Sequence, residues 1–119
     1  MTVSRKGKRP IVVDGQTYLW WVDDKGRDGY WGGMALKIVD EFGEFGVKHP
    51  IGLPPDRCHL TVMGRRFRVS GCGGSHRRFR CPVVIQNGVV TPRGVAELIK
   101  WSTEAGQDLT EVDWRGQPI

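Results

Sequence analysis

Residues 11–22, Ile11-Val12-Val13-Asp14-Gly15-Gln16-Thr17-Tyr18-Leu19-Trp20-Trp21-Val22, decide the fold class. Two runs of β-branched and aromatic residues flank Asp14-Gly15, a pair favoured where both central residues of a tight hairpin turn need positive φ. The stretch predicts an antiparallel hairpin. In a strand, successive side chains point to opposite faces, so Trp20 and Trp21 must separate, one into the core and one under a helix or exposed.

Working outward, Met34, Leu36 and Ile38 alternate with Ala35, Lys37 and Val39, which suits a strand. Glu44–Lys48 reads as a short edge strand. His49-Pro-Ile-Gly-Leu-Pro-Pro55 should be irregular, because its three prolines lack backbone donors and restrict the residues before them. Leu60 and Val62, then Phe67 and Val69, predict a second hairpin about Gly64 with arginines on its solvent face. Phe79, Cys81 and Val83 predict a further strand, with Pro82 putting it at an edge or a bulge. Thr91-Pro92 is a helix start, with a threonine N-cap and proline at the first helical position. Val95, Leu98, Ile99 and Ser102 make the buried stripe, and Gly106 marks the stop. Leu109, Val112 and Trp114 continue as a docked tail or a last short strand. The expected fold is α+β: an antiparallel sheet of about six short strands with one C-terminal helix packed on one face.

A length of 119 residues suits one domain. The expected division is a flexible basic arm over residues 1–10 and a single α+β domain over 11–119. No run of 18 apolar residues appears, so no membrane partner is expected. Three cysteines without a secretory signal argue for reduced thiols and a bacterial-type cytoplasmic location.

The charge is unevenly spread. Arg57 to Ala96 holds eight arginines and no Asp, Glu or Lys, and residues 1–10 hold four more cations. The rest carries six bases against thirteen acids. If strands 66–70 and 78–83 pair, Arg66, Arg68, Arg78 and Arg80 share one face. With Arg65 and Arg77 they are the candidate contacts for a nucleic acid or other polyanion, since guanidinium binds phosphate bidentately and stacks on bases. The bland alternative is a solvated face paired with Asp40, Glu41, Glu44 or the acidic tail. An exposed aromatic from the Trp20, Trp21, Tyr30, Trp31 group, or an edge strand, would instead suit a protein partner or a second copy of the chain.

Cys72-Gly-Gly-Ser-His76-Arg-Arg-Phe-Arg-Cys81 adds a metal question. Cys58, His59, Cys72, His76 and Cys81 are ligand types for tetrahedral zinc. The spacing lacks a Cys-x2-Cys opening, and alternation turns Cys81 inward with Phe79, where a free cysteine packs as a small hydrophobe. Ordinary cysteines and no cofactor are therefore expected, with a structural zinc domain as the third reading. No base or oxyanion pocket completes a cysteine nucleophile, and Asp23, Asp24 and Asp28 lack the spacing of acid/base or calcium sites, so no enzyme is expected.

Arg78-Phe79-Arg80-Cys81-Pro82, followed by Thr91-Pro92-Arg-Gly-Val95-Ala-Glu-Leu98-Ile99-Lys-Trp101, resembles small bacterial domains with a β-rich front and a closing "TP..V..LI.W" helix. The resemblance covers the last third of the chain. It implies the same α+β build and no particular activity.

Overall fold

The computed structural model describes residues 6–23, 34–68, 76–104 and 109–119. Seven strands form one sheet: β1 (Arg9–Val13), β2 (Gln16–Asp23), β3 (Ala35–Asp40), β4 (Gly46–Pro50), β5 (His59–Val62), β6 (Arg78–Arg80) and β7 (Glu111–Val112). Their spatial order is their chain order, each antiparallel to its neighbours. Among the described residues one α-helix, α1 (Pro92–Thr103), follows β6. The fold is thus the expected α+β class, with seven strands rather than about six.

The opening hairpin forms as its turn chemistry dictates. Val13 faces Gln16 across a two-residue turn whose Asp14 and Gly15 have φ of 52° and 79°. β1 starts at Arg9, two residues before the expected boundary.

Register sorts the two faces. Trp20 faces Ile38, Ile38 faces Val47 and Val47 faces Val62, all four buried. Leu60 and Phe79, paired on the same side, extend this row into the core with Val95, Leu98 and Ile99 of α1. Phe67 stacks on Phe79 at 5.5 Å between centroids and meets Trp101 edge-on at 6.0 Å. The helix lies against β1 and this face. Trp21, on the other face, is half-exposed, so the adjacent tryptophans separate as expected.

Thr91 caps α1, its Oγ1 accepting from the Gly94 N–H at 3.1 Å. A glycine inside this helix costs about 1 kcal/mol in propensity, but a Cβ at Gly94 would sit 2.7 Å from the Val84 carbonyl oxygen. The segment after Cys81 crosses too close for any side chain. The helix ends at Thr103 instead of running to Gly106, which lies outside the described residues. The Ser102 and Thr103 hydroxyls bond back to the Leu98 and Ile99 carbonyls at 2.7 and 2.9 Å, and the Glu104 N–H closes the last turn on the Lys100 carbonyl at 3.0 Å.

Three expectations are corrected. Residues 65–68 form no strand paired with β5; only a parallel bridge joins Arg66 to Phe45. The Gly46 carbonyl accepts from both Met63 and Gly64 N–H groups, at 2.8 and 3.0 Å, which turns the chain away from β5. Gly64 lies so close to the backbone of Glu44 and Gly46 that a Cβ has no room there. The partner of β5 is β6, and β4 and β6 are both interior strands rather than edges. Pro82 falls outside β6, so its missing N–H costs no ladder bond. Finally, His49 and Pro50 belong to β4, and Pro55–Arg57 makes one 3₁₀ turn, so the proline-rich segment is less irregular than its composition implies.

Candidate functional site

The six candidate arginines do not share one face. Arg66 closes a network against β2 and β3. Its guanidinium donates to Gln16 Oε1 at 2.9 Å and Tyr18 Oη at 3.1 Å, and lies 3.8 Å from the buried Asp40 carboxylate. Asp40 also accepts from the Glu44 N–H at 2.8 Å. Arg68 lies over Trp101, 4.9 Å from the ring centroid. Arg77 pairs with Glu111 at 2.6 Å, and this guanidinium holds the Glu111 carboxyl below its ordinary range. Arg65 is exposed beside Arg66. Only Arg78 and Arg80, two apart on β6, share the face opposite the helix.

That face has other cations which composition alone could not align. Trp21 faces Lys37, Lys37 faces Lys48, Lys48 faces Thr61 and Thr61 faces Arg78, a continuous row across five strands. Lys8 extends it, its Nζ 4.9 Å from the Trp21 ring centroid. All six are half-exposed. Asp23 is an acid on this face, 2.8 Å from Lys37 Nζ. Arg80 adds a guanidinium at the next position along β6.

Directly behind this row, the same three strands turn a different set of side chains inward. His59 pairs with Arg80, so Cys58 and Cys81 follow as the next opposed residues, and the Cys81 N–H donates to the Cys58 carbonyl at 3.1 Å. β4 brings His49 alongside, since Lys48 faces Thr61. The two sulfurs lie 3.8 Å apart. Cys58 Sγ is 3.9 Å from His49 Nε2, and Cys81 Sγ is 3.9 Å from His49 Nδ1. His49 Nδ1 is 2.7 Å from the His59 carbonyl oxygen. A carbonyl only accepts, so Nδ1 carries the proton and Nε2 presents its lone pair. All three residues are buried.

The thiols influence each other. A hydrogen bond from the Cys81 thiol stabilises the Cys58 thiolate and lowers its pKa; the same bond and burial raise that of Cys81.

Of the five metal-type residues named from sequence, Cys58 and Cys81 meet, and no other of the five joins them among the described residues. His59 points to the opposite face, where its Nδ1 donates to the Arg57 carbonyl at 2.8 Å and burial lowers its pKa. His76 is exposed, and Cys72 lies outside the described residues. His49 was hidden by its proline neighbour; the signal that could have exposed it is Val47-Lys48-His49, which alternates inward and outward like a strand. Comparison with family models, curated proteins and solved structures returned no match.

Proposed function

We propose that the protein is a non-enzymatic binding module that contacts nucleic acid, or a polyanion of like charge spacing, through the face of its sheet opposite α1. The observation that carries this is the cross-strand row Lys8, Trp21, Lys37, Lys48, Thr61 and Arg78. Strands lie about 4.8 Å apart, so β2 to β6 spans about 19 Å, enough for three or four nucleotides of an extended strand. Ammonium and guanidinium groups meet phosphates, the Thr61 hydroxyl can donate to one, and Trp21 offers a π-face for a base. The arginines first singled out contribute through Arg78 and Arg80 alone; Arg66 and Arg77 are engaged within the fold.

Titration with short single- and double-stranded oligonucleotides at several salt concentrations tests this. Four phosphate contacts give a log–log salt slope of about −3 on single strands. Binding that is absent at low salt, or indifferent to salt, removes the proposal. Lys48→Glu with Arg78→Glu should abolish binding with the fold intact by circular dichroism, and Arg65→Glu should weaken it far less.

Val12, 66% exposed on edge strand β1, favours self-association as the second reading. Light scattering distinguishes it: a strict monomer at high concentration excludes it.

A further inference from the structure

We propose that His49, Cys58 and Cys81 form a three-ligand site for a soft divalent ion of the zinc class, with the fourth coordination position open to the adjoining cavity. The inference rests on residues that take no part in the basic face. Two thiolates and an imidazole suit zinc and related ions, and exclude the hard oxygen-seeking ones. In a tetrahedron with zinc–sulfur bonds of about 2.3 Å and a zinc–nitrogen bond of about 2.0 Å, sulfurs sit about 3.8 Å apart and sulfur to nitrogen about 3.5 Å. The sulfurs lie 3.8 Å apart, and Cys58 Sγ is 3.9 Å from the unprotonated His49 nitrogen. The nitrogen nearest Cys81 Sγ is the protonated Nδ1, at 3.9 Å, so a turn of the imidazole that brings Nε2 toward that sulfur closes the third corner.

Two further features point the same way. The His59 carbonyl fixes the imidazole tautomer with Nε2 available, the backbone support that ligating histidines commonly have. Cys58 and Cys81 follow directly on the His59–Arg80 pair, joined by the Cys81 N–H to the Cys58 carbonyl at 3.1 Å, so the end of the β5–β6 ladder sets the spacing of the sulfurs. That spacing is nearly twice a disulfide bond of about 2.05 Å, and suits a bridging ion without a change of backbone.

Among the described residues no fourth protein ligand joins the group. A cavity of about 230 Å³ adjoins it, with His49 and Cys58 in its wall beside Leu53, Val83, Ile85 and Asn87. Three protein ligands with one open position is the arrangement that admits water or an exogenous donor. On binding, Cys58 and Cys81 both coordinate as thiolates and their protons pass to solvent. His49 Nε2 gives its lone pair, and Nδ1 keeps its proton on the His59 carbonyl. The ligand class for the open position is a small neutral or anionic donor.

The experiment uses the full chain, purified reduced and without a histidine tag, and titrated with Co²⁺ and then Zn²⁺ in the absence of nucleic acid. The expected result is one ion per chain, with thiolate-to-cobalt charge transfer and tetrahedral visible bands. Adding azide or imidazole should shift the visible bands without releasing cobalt. Cys58→Ser and Cys81→Ser should each weaken binding at least 100-fold, and His49→Gln about 10- to 100-fold. Wild-type protein that takes up no ion at one per chain overturns the site, whatever the variants do. Binding that survives in the Cys58→Ser, Cys81→Ser double variant overturns it also. Cobalt bands that do not respond to added ligand, or that change in Cys72→Ser, overturn the open position while leaving the metal. Oligonucleotide binding is read separately, so neither result can stand for the other.

Discussion

β4, β5 and β6 each present two unlike surfaces, and the two are one residue apart. Lys48 lies on the basic row and His49 in the buried corner. Thr61 and Leu60 divide in the same way, as do Arg78 and Phe79, and Arg80 and Cys81. On one face, half-exposed cations are spaced by interstrand distance. On the other, aromatic and aliphatic groups surround two thiols and an imidazole. The lesson is that a two-residue period lets one short strand serve two chemistries without conflict, because neither set of side chains can reach the other's face.

The sharpest way to break that comparison is on β6. Phe79→Ala empties a site packed against Phe67 and should cost about 3–5 kcal/mol in denaturant unfolding. Arg78→Ala, its neighbour in sequence, should change stability by no more than about 0.5 kcal/mol, since it removes only a half-exposed side chain. Equal losses would mean that the faces are not energetically separate. The next test crosses the two functions. Lys48→Glu with Arg78→Glu should lower oligonucleotide affinity at least 100-fold and leave cobalt uptake unchanged, and His49→Gln should do the reverse. If either variant moves both readouts, the faces are coupled.

A smaller effect is expected at Thr91, whose hydroxyl satisfies one helix N–H. Thr91→Ala should cost about 1 kcal/mol, seen as a lower midpoint with an unchanged slope in urea. Smallest of all is the exposed pair of Arg77 and Glu111. A double-mutant cycle on that pair should return about 0.5 kcal/mol or less, shrinking with added salt.

What could be read from the chain follows how local the cause is. The Asp14-Gly15 turn and the Thr91-Pro92 cap are each decided within a few residues, and both form as expected. The pairing of β5 with β6 is decided by a bulge at Gly46 and Gly64, a contact between distant backbones that no local pattern announces. That misplacement carried the arginines with it: a hairpin over 60–70 would have put Arg66 and Arg68 beside Arg78, whereas the observed turn sends Arg66 to Asp40 and Tyr18. The lysines of the basic row were invisible for the same reason. Lys37 and Lys48 are isolated in sequence, and only register brings them into line with Arg78. His49 falls in the segment expected to be irregular, although an extended conformation is what a residue before proline prefers, and a strand end supplies it.

The order of the sheet bears on how the molecule comes to be. Every strand pairs with the strand made just before it, so a chain emerging from the ribosome can add each one to an edge already present. The helix is different: it comes after β6 yet lies against β1, the first strand made. Until residues 92–103 arrive, the apolar face bearing Trp20, Ile38 and Val62 lacks the cover of the helix. A chain halted near residue 90 would therefore show a nearly finished sheet with its greasy side open, which is the form in which this protein should be most prone to aggregate and most in need of a chaperone.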